Sequence, residues 1–210
     1  MTASELPRFA LPGTWARVDL GSEALLKSTV KRAVAALVGP ADAAAALRAD
    51  MRRHFEIVAQ RAQEDGAVEF YIARQIVPGV PLSGTLAVMT PEIDLVRLNQ
   101  AGLPDLSSVL AVSVDEMSGA TAKGKPIEGA EITAVRQTYR RNLAATDVSP
   151  ELRILQADYW VAAARPARLA VMSFTTAFVE LEPEMLSLFD AIVSSTRWPV
   201  GSASLAGASQ

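Results

Sequence analysis

The chain has 210 residues, half of them hydrophobic, with 20 basic against 23 acidic residues and a formal net charge of −3. That length suffices for one large domain, and the near-balanced charge argues against a nucleic-acid binder, which carries a strongly basic total or patch. No cysteine is present, which excludes disulfides, thiol catalysis, thiolate metal sites and a lipid-bearing Cys and fits a reducing compartment.

The first twelve residues lack the basic start and apolar run of a secretory signal. Apolar stretches are broken by charge or Pro within about ten residues, short of the ~20 that a membrane helix needs. The expectation is a cytoplasmic chain with no membrane insertion. Phe9 to Trp15 reads as an extended segment with a turn at Pro12-Gly13, because Pro presets φ and Gly accepts positive φ. Trp15, Val18 and Leu20 suggest a short strand. Ser22 is placed to cap a helix over 23–38. In that helix Leu26, Val30, Ala33, Val34 and Leu37 fall on one face.

Gly39-Pro40 stops that helix. A second is expected over 41–64, with Leu47, Met51, Phe55 and Val58 as its apolar stripe and Gly66 as its stop. At 67–77 the period changes to two, with Val68, Phe70 and Ile72 alternating against Glu69 and Tyr71, which predicts a half-buried strand. A strand at 83–90 completes an antiparallel hairpin. Residues 92–99 fit a short helix or a strand, and 105–114 a strand. Residues 115–130 hold four Gly or Pro and read as a loop, long enough for a compact domain to imply function or mobility.

Strands are then expected at 130–141, 152–162 and 168–176, joined as an antiparallel meander. Leu155, Ala157, Tyr159 and Val161 share one face of the second, and Trp160 lies on the other with Ile154. A terminal helix spans 183–197. Pro183 suits its first turn, Glu182 and Glu184 complement its positive end, and Met185, Leu188, Phe189 and Ile192 form its stripe. The fold class is α+β: an antiparallel sheet packed against helices and closed by a C-terminal amphipathic helix. One domain is expected over 1–200, with a disordered Gly/Ala/Ser tail at 201–210.

Gly119 to Pro126 nearly matches the phosphate-binding pattern G-x-x-x-x-G-K-[ST]. Pro126 replaces the hydroxyl residue that holds Mg²⁺, and a strand rather than a helix is expected after it. His54 is the lone histidine, and with no Cys it cannot assemble a zinc site of nitrogen and sulfur ligands. No catalytic set, cofactor site or metal site emerges. Arg136, Tyr139 and Arg140 lie close together on one expected strand, with Arg153 facing them from the next. Arg with Tyr is the composition of protein interfaces, and equally of a solvated sheet face.

The opening Phe9 to Trp15, with its Pro-Gly and Trp, resembles the start of the Mog1/PsbP-like superfamily. So does the ending, in which Ala170 to Thr175 is followed by Leu186 to Trp198, a final strand, a helix and a closing aromatic. The resemblance implies a central antiparallel sheet between helices and a non-catalytic role in binding partner proteins or assisting assembly. The chain departs from the bacterial lipoprotein members in lacking a signal and a lipid-bearing Cys, and in its long helical stretch at 23–64.

The function read from the sequence is thus a non-catalytic protein-binding or accessory module with a protein partner. The Ala- and Arg-rich composition resembles that of high-GC actinobacterial proteins, and the expectation for a small cytoplasmic domain of this sort is that it accompanies a secretion or envelope system. Two alternatives stay open: a small-ligand carrier with an apolar cavity, or an enzyme with a carboxylate-based pocket at the 115–130 loop near Asp115, Glu116 and Lys125.

Overall fold

A computed structural model describes residues 6–75, 84–91, 124–129, 131–143, 152–164 and 167–199. The first strand, β1 (Thr14–Val18), leads to helix α1 (Glu23–Val38). Ser22 takes extended backbone and its hydroxyl accepts the Leu25 N–H at 3.3 Å. Gly39 ends the helix at φ 80°, and its N–H returns to the Ala35 carbonyl. Such a φ strains any residue with a Cβ. A 3₁₀ turn (Asp42–Ala44) opens α2 (Ala45–Glu64), and Gly66 at φ 83° turns the chain out of it.

The stripe on α2 has the expected periodicity, but only its later turns reach the core. Phe55 and Ala59 are buried, whereas Leu47 is 54% exposed. Periodicity identifies the apolar face of a helix; it does not say how far along that face a partner extends.

Strands β2 (Ala67–Gln75) and β3 (Thr85–Met89) form the expected antiparallel hairpin. Within the region expected as a loop, Lys125–Glu128 is a strand, β4; residues 115–123 of that region lie outside the described residues, as do 92–99 and 105–114. Strand β4 turns into β5 (Thr133–Leu143) through Gly129, whose N–H reaches the Ile132 carbonyl at 3.1 Å. Strands β6 (Leu152–Ala164) and β7 (Ala167–Thr176) complete the meander. A 3₁₀ turn (Val179–Leu181) leads into α3 (Glu182–Ser194), with Pro in its first turn.

The seven described strands join in one antiparallel sheet of order β1-β2-β3-β7-β6-β5-β4. The decisive contact is β7 against β3, in register from Thr85↔Thr175 to Met89↔Val171. It fuses the N-terminal three strands to the C-terminal four. Alternation then creates two cores on opposite faces. On one, Leu86, Val88, Leu155, Tyr159, Met172 and Phe174 pack against Met185, Phe189, Ile192 and Val193 of α3. On the other, Val18, Phe70, Ile72 and Ala87 pack against Leu26, Val30, Val34 of α1 and Phe55 of α2. Trp198 is buried in the first core, and the half-buried Trp15 packs on it while its indole N–H donates to the Pro12 carbonyl. No described helix is long and apolar enough to cross a membrane.

Candidate functional site

The four residues expected at an interface do not share one face. Pairing of Arg136 with Tyr159, and of Arg140 with Leu155, places both arginines on the α3 side of the sheet. The alternation sends Tyr139 and Arg141 to the opposite side. Arg153 lies opposite Asn142 and has the same parity as Leu155, so it belongs to the α3 side.

Arg136 is committed inside the fold. Its side chain is only 10% exposed, and one terminal nitrogen donates to both Asp190 oxygens at 2.7 Å. Tyr159, fully buried, donates its hydroxyl to Asp190 Oδ1 at 2.7 Å. Lys125 approaches Asp190 Oδ2 at 3.7 Å. Burial, and after it the hydrogen bond to Asp190, pushes the Tyr159 hydroxyl far above its ordinary range, so it acts as a permanent donor. The cluster joins β4, β5 and β6 to α3. Sequence inspection missed Asp190; its one signal was a carboxylate beside Phe189 on the buried stripe.

A second polar network lies on the opposite face of β5–β7. Ser173 Oγ donates to Asp158 Oδ1 at 2.6 Å, and Gln156 Nε2 donates to both Asp158 oxygens at 3.0 Å. Tyr139 donates to Gln137 Oε1 at 2.6 Å. Burial, then the Asp158 charge, raises the Tyr139 pKa, and Arg141 opposes them.

The remaining arginines mark an overhang. Strand β7 ends at Thr176, opposite Leu155. The pairs Arg141↔Ile154, Asn142↔Arg153 and Leu143↔Leu152 therefore extend past it as a two-stranded arm. Arg140, Arg141 and Arg153 are all exposed there. Arg140 Nε donates to Glu182 Oε2 on α3 at 2.7 Å, which braces the arm's base. The Arg141 guanidinium lies 5.2 Å from the Tyr139 ring centre, a cation–π distance. Among the described residues, no carboxylate forms an ion pair with Arg141 or Arg153.

Lys125 sits on edge strand β4, mostly exposed. Asp115 and Glu116, the proposed carboxylates of a pocket at the 115–130 loop, lie outside the described residues. Lys125 and Pro126, at the end of the phosphate-loop look-alike, are in β4 and not at a helix start, so the backbone needed to cradle phosphate is absent at those two positions. Among the described residues no three His, Asp or Glu side chains gather as metal ligands.

His54 is half-buried on α2 with its ring 5.7 Å from that of Phe55. Burial lowers its pKa, so below about pH 6.5 the unfolded chain binds more protons than the folded one. Its contribution to stability is present above that pH and lost as pH falls through the folded value. His54→Gln is expected to flatten the decline of stability between about pH 7 and 5, read from urea midpoints; an unchanged slope would show that His54 titrates alike in both states.

The fold defines a class: a seven-stranded antiparallel α+β sandwich with helices on both faces. No protein-family model, curated protein or solved structure matches the chain.

Proposed function

We propose that this chain is a non-catalytic protein-binding or accessory module of a bacterial cytoplasmic system, associated with secretion or the envelope. It grips an acidic surface of its partner with the β5–β6 arm. The observation that carries the reading is the overhang itself: Arg141 and Arg153 stand exposed beyond the end of β7, with Tyr139 beneath Arg141. Arg and Tyr dominate binding energy at interfaces because both present large, stiff contact area with polar ends. A basic arm on a chain of net charge −3 also orients an acidic partner during encounter. The resemblance of the chain's two ends to the Mog1/PsbP-like superfamily implies the same non-catalytic binding role. On this reading the arm presents Arg140 and Arg153 on its α3 side and Tyr139 with Arg141 on the opposite side, and Arg136, bonded to Asp190, takes no part in the grip.

The test is a charge reversal, Arg141→Glu with Arg153→Glu. The wild-type chain, tagged and crosslinked in its source cell, is expected to retain a specific protein that the double variant loses, with the melting temperature unchanged. Retention of the same protein by both would remove the arm as the site. Absence of any specific protein on the wild type would overturn the binding role.

A further inference from the structure

Arg8 and Arg197 lie almost the whole chain apart in sequence, yet they form an antiparallel bridge. Each donates its backbone N–H to the other's carbonyl at 2.8 Å. A mutually bonded pair holds its Cα atoms about 5.5 Å apart with both side chains on one face. Two like charges directly opposite each other destabilise a strand pair. The only described carboxylate nearby is Glu131, 3.9 Å from Arg197, and both of those side chains are mostly exposed. Among the described residues that line this place, two positive charges thus face one negative charge. A local rule broken without full compensation is a signature of function.

The same residues line a groove of ≈ 500 Å³, with Phe9, Trp198 and Pro199 as its apolar wall. Its scaffold is firm. Trp198 is buried, the Ala10 N–H donates to Ser195 Oγ at 2.9 Å, and that hydroxyl donates to the Ile192 carbonyl at 2.6 Å. A groove lined by two arginines from a backbone-paired position and by an apolar wall is complementary to an extended chain carrying carboxylates on one side and apolar residues on the other. Guanidinium forks hold carboxylates bidentately. We infer that the groove is a binding site for an extended acidic peptide segment of a partner protein. It lies at the Glu131 end of β5, and the basic arm lies at the Arg141 end, on the order of 30 Å away by strand rise. The groove is a separate site and does not depend on the arm binding anything.

The probe is a fluorescently labelled short peptide of alternating Glu and Leu, titrated against the intact chain at low salt and read by anisotropy. A Gln/Leu peptide and inorganic phosphate serve as controls. The Glu/Leu peptide is expected to bind. Arg8→Gln with Arg197→Gln should weaken it at least ~10-fold, since charge-assisted bonds are being removed. The bridge uses main-chain atoms and the variant removes a like-charge repulsion, so its melting temperature should not fall. Charge reversal of the arm should leave peptide binding unchanged, which separates failure of this site from failure of the arm. Absence of peptide binding, or binding indifferent to Arg8 and Arg197, would overturn the inference. Equal binding of the Gln/Leu peptide would reduce the groove to an apolar surface. Competition by phosphate at concentrations comparable to the peptide would reduce it to a small-anion site.

Discussion

Asp190→Ala is expected to destabilise the fold by roughly 3 kcal/mol, measured as a lower urea midpoint with an unchanged slope. The Asp190 side chain is 21% exposed and Arg136 10%, so solvent screens the pair only in part. Removing the carboxylate leaves the Arg136 guanidinium charged and enclosed. One of its nitrogens, Nε, is already buried without a hydrogen-bond partner. It also leaves the fully buried Tyr159 hydroxyl without its acceptor, which carries its own desolvation cost. A second variant isolates the cause. Adding Arg136→Met to Asp190→Ala should recover most of the loss, because an apolar side chain of similar volume does not need the carboxylate. If Asp190→Ala costs less than about 0.5 kcal/mol, the range of an ordinary surface substitution, the cluster is not what holds α3 to the sheet.

Phe189→Ala should cost about 3–5 kcal/mol, the usual range for deleting an enclosed aromatic ring. In a chain of this size that lowers the melting temperature by on the order of 10 °C. Phe189 stacks on Phe174 with ring centres 4.5 Å apart and planes at 19°, and Phe174 meets Tyr159 edge-on at 5.5 Å. The substitution removes the α3 end of a contact running from α3 through Phe174 on β7 to Tyr159 on β6. Phe189→Leu keeps much of the apolar volume and is expected to lose far less. A loss below about 1 kcal/mol for Phe189→Ala would mean that the helix does not close the sheet through this residue.

The two variants probe elements of unequal legibility. The stripe Met185, Leu188, Phe189 and Ile192 was visible as a 3.6-residue period, and three of the four are buried, with Leu188 half-buried. The role of Asp190 was invisible, because its partners Arg136 and Tyr159 lie 54 and 31 residues away. The strand bearing Arg136, Tyr139 and Arg140 was legible as a strand. Which of them face solvent depended on which sheet face α3 would occupy. The overhang was equally hidden, since it exists only because β7 stops at Thr176 while β6 and β5 continue.

Local chemistry therefore determined the elements that depend on near neighbours. Ser22 and Gly39 bound α1, the alternation from Val68 to Ile72 defines β2, and Pro183 with Glu182 and Glu184 starts α3. These arise from backbone geometry and side-chain period, both encoded within a few residues. Tertiary structure alone decided that β7 inserts beside β3, that α1 and α2 cover the face opposite α3, and that Arg8 meets Arg197. Such pairings are selected by the joint burial of surfaces distant in sequence, and no local pattern specifies which surface will meet which.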